Sequence, residues 1–214
     1  MTTKLYIIRH GESEANRQSI FASHLLYPLT EKGHEQAEQT AQFLKDEKID
    51  CLYSSDLPRA YETAVHIAGY HDLPIHTHTG LREIYAGKWE GLTFQEIARL
   101  YPEAFAVWLE DIGMCCPPDG ESVSALRQRG ICTIEEIVRA HPGETVCIST
   151  HATLLRALQC FWEGKTLQEM KNVPWAANAS IVTVCYEEDM SFHDLTVGGH
   201  SHLGEDFLTV PVHR

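Results

Sequence analysis

The apolar positions of this chain fall into short continuous runs that alternate with longer stretches of helical spacing. The runs at 5–8, 49–54 and 145–150 have the length and the β-branched content of strands that are buried on both faces. Between them, apolar residues recur at the spacing of a buried helix face. Two more strands are predicted at 179–186 and 190–197, on either side of an acidic turn. The pattern predicts a single domain over 1–214, an α/β fold of three layers (α/β/α) with a mixed, mostly parallel sheet.

Capping residues, prolines and glycines indicate where the helices begin and end. Thr30 is the predicted N-cap of the first long helix. Ser55 or Asp56 is expected to cap the next helix, with Pro58 in its first turn and Gly69 at its end. The remaining predictions are a polar loop over 13–28, an edge strand over 73–79, one or two helices over 93–109 broken near Pro102, a helix over 121–140 and a helix over about 153–162.

The charge of the chain narrows the classes of partner. Its formal net charge is −13, so nucleic acid and anionic membranes would repel it, and we expect neither as a partner. An anionic substrate therefore needs a local cluster of Arg, His and backbone N–H groups. The seven cysteines form no Cys-x-x-Cys pair, which favours free thiols in a reducing compartment. Since no signal-peptide core or membrane-length apolar segment is present, we expect a cytoplasmic protein.

Polar residues of one kind follow three of the predicted strands. The first strand ends at Arg9-His10, Arg59 lies in the first turn after the second, and the third ends at Thr150-His151. The carboxyl ends of neighbouring parallel strands form the ligand crevice of an open α/β sheet. Two Arg and two His in that crevice suit a phosphoryl group, because Arg binds phosphate oxygens in a bidentate manner and an imidazole can attack phosphorus.

Four sequence blocks in a fixed order resemble the histidine phosphatase superfamily, which includes the cofactor-dependent phosphoglycerate mutases. The blocks are Arg9-His10-Gly11-Glu12 with Asn16, Ser54-Ser55-Asp56-Leu57-Pro58-Arg59-Ala60, Leu81-Arg82-Glu83-Ile84 leading to Gly87-Lys88-Trp89-Glu90-Gly91, and Thr150-His151 with Arg156. They run from residue 5 to about residue 156. Each block is weakly specific alone, whereas the four together are highly specific. The fold that the resemblance implies is the one that the apolar pattern predicts.

The resemblance also implies roles for individual residues. His10 corresponds to the phosphorylated nucleophile, Glu83 to the proton donor, and His151 to the second active-site histidine. Arg9 and Arg59 correspond to phosphate-binding residues.

Further positions are expected to contact phosphate or substrate. Asn16 matches a residue of the phosphate pocket, and Gly11 and Ala152 are expected to offer backbone N–H groups. Ala152 departs from the family, which often has glycine there. Ser23, Glu121 and Ser122 are candidates for the substrate loops, which we place within 19–27 and 108–122.

The predicted activity is hydrolysis of a small phosphorylated metabolite, a phosphomonoester, without metal or cofactor. A mutase is the alternative within the same chemistry, but the mutases carry a longer insertion after the Glu83 block, which is absent here. A domain that binds a phosphorylated ligand without turnover is a second alternative. A metal-dependent hydrolase is a third, since His76 and His78, and likewise His200 and His202, lie two residues apart.

The last segment, 198–214, is rich in His and Gly and then apolar at Phe207, Leu208 and Val210. It either docks on the domain or contacts a partner subunit. The sequence is compatible with a homodimer and does not decide between a homodimer and a monomer.

Overall fold

The computed structural model describes residues 1–209 and contains one sheet of six strands in the order β3-β2-β4-β1-β5-β6. The strands are β1 (Thr3–Arg9), β2 (Cys51–Ser54), β3 (Ile75–Thr77), β4 (Thr145–Thr150), β5 (Ile181–Tyr186) and β6 (Phe192–Gly199). The first four strands in this order are parallel, β5 is antiparallel to β1, and β6 is antiparallel to β5. The predicted mixed, mostly parallel sheet is therefore confirmed.

Helices cover both faces of the sheet. They are α1 (Glu14–Arg17), α2 (Glu31–Leu44), α3 (Pro58–His71), α4 (Phe94–Leu100), α5 (Pro102–Glu110), α6 (Val123–Ala140) and α7 (Ala152–Trp162). Alternate residues of β1 point to opposite faces, as in any strand. Ile8 packs in a core cluster with Leu44 of α2, whereas Ile7 packs in the other cluster with Leu158 of α7. The three-layer architecture thus follows from a strand that is apolar on both faces.

The predicted cap of α3 is wrong. The N-cap is Leu57, which makes no side-chain capping bond, and Pro58 is the first helical residue as expected. Asp56 instead forms an ion pair with Arg82. The Ser55 hydroxyl accepts a hydrogen bond at 3.3 Å from the N–H of Leu57, the residue before the first helical residue. Both side chains are used to connect the β2–α3 turn to neighbouring segments.

Two other boundaries differ from prediction. Helix α3 runs past Gly69 to His71, and Asp72 takes the left-handed conformation at its C-cap, with φ of 50°. The predicted polar loop over 13–28 contains α1, which begins with a capping box formed by Ser13 and Asn16.

The end of the described chain docks on its own domain. The Gln36 amide of α2 donates to the carbonyl of Phe207 and to the hydroxyl of Thr209, and Asn178 donates from its backbone N–H to the carbonyl of Thr209 at 2.9 Å. The predicted apolar position Val210 lies outside the described residues. Within residues 1–209, no helix combines the length and apolar character needed to cross a bilayer.

Candidate active site

The register of the central strands brings the predicted strand ends to one place. Arg9 of β1 lies opposite Thr150 of β4, and Ser54 of β2 lies opposite Ser149. A cavity of about 410 Å³ is present beside these ends. The predicted residues that line it are Arg9, His10, Asn16, Ser23, Arg59, Glu83 and Ala152. Four segments far apart in the sequence therefore contribute to one cavity.

His10 is held in a form suited to nucleophilic attack. Its ring is 4% exposed, and its Nδ1 lies 2.6 Å from the carbonyl oxygen of Gly11, so Nδ1 carries the proton and donates. The unprotonated Nε2 then carries the free lone pair of the ring. Burial lowers the pKa of His10 well below its usual 6.5, and the cations of Arg59 and Arg9 lower it further. The ring is therefore neutral near pH 7.

Two buried guanidinium groups provide the positive charge of the cavity. Arg59 donates to the carbonyl oxygens of Ser23 at 2.7 Å and Leu25 at 3.1 Å. Arg9 donates from Nη1 to the carbonyl of Ala176 at 2.7 Å, while its buried Nε has no partner among the described residues. Burial lowers the pKa of both to about 10, so both remain charged at pH 7. Fixed cations with unused N–H groups are a suitable cradle for phosphate.

His151 is fully buried beside the nucleophile. Its ring centroid lies 5.2 Å from that of His10, at an angle of 61°. Nε2 is 2.8 Å from the Ser55 hydroxyl, whereas Nδ1 is buried and lacks a partner within residues 1–209. Burial lowers its pKa well below 6.5, and Arg59 and His10 add to the shift. If the hydroxyl donates to Nε2, the neutral ring carries its proton on Nδ1, a buried donor for which residues 1–209 provide no acceptor.

Glu83 joins the cavity from an irregular segment. Its side chain is almost buried, and its two carboxyl oxygens accept backbone N–H bonds from Ile84 at 2.9 Å and from Thr153 at 3.1 Å. Thr153 is the second residue of α7, so the carboxyl group is fixed to a helix N-terminus. Ala152 is the first residue of that helix, where an N–H has no intrahelical acceptor. Its φ is not positive, so alanine is accommodated in place of glycine without strain.

Comparisons with known proteins identify the family of the chain. The sequence profile of the histidine phosphatase superfamily, branch 1, matches residues 5–195. The chain belongs to this superfamily. It is 33% identical over 208 residues to phosphoserine phosphatase 1 of Hydrogenobacter thermophilus, covering 96% of each chain. It is 34% identical over 179 residues to the metal-independent phosphoserine phosphatase of Arabidopsis thaliana, covering 80% of this chain and 75% of that protein.

A solved structure supports the same assignment. YhfR of Bacillus stearothermophilus superposes with a TM-score of 0.91 at 32% identity, covering 94% of this chain and 100% of that one. The phosphoglycerate mutase-like fold is thereby confirmed, as is the resemblance stated above. As a member of the histidine phosphatase superfamily with phosphatase-named relatives, the chain is a phosphoric monoester hydrolase.

Gly11 has a packing role in this member of the superfamily. A Cβ on Gly11 would lie 2.3 Å from the carbonyl oxygen of Gly33 in α2, and a Cβ on Gly33 would lie 2.0 Å from the carbonyl oxygen of Glu12. The two glycines therefore let the loop after β1 cross α2 at close range. The Gly11 N–H donates to the Thr63 hydroxyl at 3.1 Å, so the structure commits this expected phosphate donor to another acceptor.

Asn16 and Ser23 connect the cavity wall to other segments. The Asn16 amide oxygen accepts from the Ser13 N–H at 3.1 Å and from the Asn178 amide at 3.3 Å. Asn178 also donates to the carbonyl of His10 at 3.0 Å. Ser23, with φ of 45°, donates its hydroxyl to the carbonyl of Ile84 at 3.0 Å. Both predicted residues are thus fixed against the segments that carry His10 and Glu83.

Glu121 and Ser122 lie outside the wall of the cavity that residues 1–209 form. Ser122 is the N-cap of α6, and Glu121 forms an ion pair with Arg129 at 2.8 Å. His151 and Gly11 are also absent from this wall. Of the two predicted substrate loops, only 19–23 and Trp108 line the cavity.

The sequence interpretation missed the apolar side of the cavity. Trp175 and Phe94 line it together with Ile20 and Trp108 of the predicted substrate loops, and Asn178 and Thr209 add polar groups. The Arg156 guanidinium lies 4.3 Å from the Trp175 ring centroid and donates to the carbonyl of Val173 at 2.7 Å. This matched family residue therefore supports the cavity wall from outside. Aromatic residues scattered along a sequence read as core, so the pattern held no signal for this wall.

The histidine pairs that prompted the metal hypothesis are engaged elsewhere. His78 accepts a bond from the Gly80 N–H, and His76 packs against Tyr53. His200 and His202 are within hydrogen-bond distance of backbone carbonyls. In the described part of the chain, the His, Cys and carboxylate groups close enough to share an ion are Cys185, His193 and Asp194, on the β5–β6 hairpin.

Proposed function

We propose that this protein hydrolyses small-molecule phosphomonoesters through a phosphohistidine intermediate on His10, with Glu83 as the proton donor. The observation that carries the proposal is the state of His10. Its Nδ1 proton is held by the Gly11 carbonyl at 2.6 Å, and the ring faces a cavity lined by Arg9 and Arg59. A neutral imidazole with one free lone pair beside two cations suits in-line attack on a bound phosphate.

In the first step, the Nε2 lone pair of His10 forms a bond to phosphorus as the bond from phosphorus to the ester oxygen breaks. Glu83, protonated at that stage, transfers its proton to the departing oxygen, so the product leaves as an alcohol. Negative charge on the equatorial oxygens is stabilised by Arg9 and Arg59, with the Nδ1–H of His151 and the Ala152 N–H at the start of α7 as further donors.

In the second step, the Glu83 carboxylate accepts a proton from water as the water oxygen bonds to phosphorus. The bond between phosphorus and Nε2 breaks, and His10 returns to its neutral form. Glu83 is again protonated, and inorganic phosphate is released. One carboxyl group thus serves as acid and then as base, while the guanidinium groups stay in place.

The substrate is a small phosphorylated metabolite, and phosphoserine is the first one to assay because the two relatives described above are named phosphoserine phosphatases. Hydrolysis is favoured over mutase chemistry because the segment after Glu83 leads through Gly91 directly into α4, without a longer insertion. Release of inorganic phosphate rather than an isomerised phosphate ester distinguishes the two reactions.

The test compares native protein with His10→Asn and with the control His193→Asn, which changes an exposed histidine of the β5–β6 hairpin. Phosphate release is measured with EDTA present. In a second assay the substrate carries a labelled phosphate, and a rapid alkaline quench traps the protein to which this label has been transferred. We expect EDTA to leave the rate unchanged, label to appear on native and control proteins, and both label and turnover to be lost in His10→Asn. Native turnover in His10→Asn would overturn the proposal.

A further inference from the structure

The segment that carries Glu83 is held almost entirely by other parts of the protein. Residues 80–85 belong to no strand, so their backbone carbonyls need donors from elsewhere. Thr150 donates to Leu81 and Ser23 to Ile84, while the Glu121 N–H donates to Tyr85. The carbonyls of Gly80, Arg82 and Glu83 share one side-chain donor, Arg129 of α6, and the Glu83 carbonyl also lies 2.9 Å from Nε2 of His24.

Arg129 uses its full donor capacity at this place. A guanidinium group has five N–H donors in a fixed plane. Nη1 donates to the carbonyls of Gly80 at 2.7 Å and Arg82 at 3.1 Å, and Nη2 donates to the carbonyl of Glu83 at 3.3 Å. Nε and Nη2 also donate to the two carboxylate oxygens of Glu121 at 3.0 and 2.8 Å. A flexible ammonium group could not reproduce this planar set.

Glu121 fixes the direction of that plane. Its bidentate pair with Arg129 is only partly exposed, with side-chain exposures of 17% and 27%, so it is less screened than a surface pair. The same carboxylate accepts from the Tyr85 N–H at 3.3 Å, and the Glu121 N–H donates to the Tyr85 carbonyl at 2.7 Å. The pair therefore holds the Glu83 segment on both sides of the proposed acid.

We infer that Arg129, oriented by Glu121, is a positioning residue that sets the location of the Glu83 carboxyl group relative to the ester oxygen. The inference rests on the proposed function, because it assumes that Glu83 transfers the proton. It assigns to Glu121 an indirect role in the reaction, in place of substrate contact. Arg129 does not line the cavity that residues 1–209 form.

The inference predicts a loss that depends on the leaving group. Displacement of a phenolate such as that of p-nitrophenyl phosphate needs little protonation, whereas an alkyl ester such as phosphoserine needs a well-placed acid. General acid catalysis contributes about 100-fold or more. Glu83→Gln should therefore lower kcat/KM for phosphoserine about 100-fold more than for p-nitrophenyl phosphate. Arg129→Met should show the same selective loss at about tenfold, and Arg129→Lys should resemble Arg129→Met, since the charge alone does not hold the segment.

The matched control is Arg139→Met, which removes another α6 arginine from a carboxylate pair, that with Glu135, away from the site. It should leave the ratio of the two kcat/KM values unchanged. In a Glu83→Gln background, Arg129→Met should add no further selectivity, because the acid through which it acts is already gone.

The outcomes separate the two claims. If Glu83→Gln lowers kcat/KM equally for the two substrates, the acid role of Glu83 is wrong and so is the proposed function. If Glu83→Gln is selective but Arg129→Met and Arg129→Lys lower kcat/KM equally for the two substrates, Arg129 is a general structural residue and only the positioning inference is overturned. The inference is supported if all three single variants are selective and if the double variant is no more selective than Glu83→Gln alone.

Discussion

The close crossing of the catalytic loop and α2 gives a sharp prediction for two glycine substitutions. Gly33→Ala and Gly69→Ala both place alanine in a helix, where it is favoured over glycine by about 0.5–1 kcal/mol. At Gly69 the new Cβ meets nothing within 4 Å. At Gly33 it would lie 2.0 Å from the carbonyl oxygen of Glu12, a backbone atom that no side-chain rotation can move.

The two variants should therefore differ in sign. Gly69→Ala should raise the free energy of unfolding by about 0.5–1 kcal/mol. Forcing a methyl group into a closed contact costs about 1–3 kcal/mol, and an approach of 2.0 Å to a backbone atom belongs in the upper part of that range, so Gly33→Ala should be destabilised by about 1–2 kcal/mol after the helical gain. For a protein of this size that is a decrease in Tm of about 3–6 °C.

Activity should fall together with stability in Gly33→Ala alone. Glu12 follows Gly11, whose carbonyl holds the Nδ1 proton of His10 at 2.6 Å. Because misplacement by about 1 Å can cost 100-fold in rate, we expect kcat/KM to fall at least about tenfold. Thermal unfolding by circular dichroism and phosphate release on the same samples measure both effects. Native stability and activity in Gly33→Ala would show that the crossing does not hold the nucleophile.

Two further predictions concern the buried histidines. Burial and nearby cations keep His10 and His151 neutral in the fold by lowering their pKa well below 6.5, while in the unfolded chain they protonate near 6.5. The unfolded state then binds more protons, so the free energy of unfolding should fall as the pH drops below about 6.5, by about 1.4 kcal/mol per pH unit for each ring. Urea titrations at several pH values should show a shallower dependence of stability on pH in a His10→Asn/His151→Asn variant. Ser55→Ala removes the hydroxyl from His151 Nε2 and should lower kcat about tenfold, whereas Ser124→Ala, an exposed change on α6, should leave kcat unchanged. An equal effect of Ser55→Ala and Ser124→Ala on kcat would contradict the role of Ser55. The same slope of stability against pH in the native protein and the double histidine variant would contradict the neutral state of the two rings.

The strand ends could be predicted because Arg9, His10, Arg59 and His151 each adjoin a strongly patterned element. Arg9 and His10 end an apolar run, Arg59 follows Pro58 in a first turn, and His151 follows β4. Parallel pairing then places all four together without further information. The predicted fold and the anion cavity rest on the same feature.

The supporting contacts could not be predicted, since they depend on tertiary distances rather than on local pattern. Ser55 suits an N-cap as well as it suits the bond to His151, and the local sequence pattern alone favours the cap. Arg129 lies within a helix with no local sign of the carbonyls that it binds. Asn178 comes from a loop before β5, and its link from His10 to Thr209 depends on the docking of the chain end.

That docking has a practical consequence for protein engineering. Thr209 lines the cavity, so a tag joined to the chain shortly after this residue is tethered beside the cavity. The amino terminus lies at the opposite end of β1, where the Met1 ammonium pairs with Glu188 beyond β5. Purification handles, fluorophores and surface-attachment groups therefore belong at the amino terminus if kinetic constants are to describe the enzyme rather than its label.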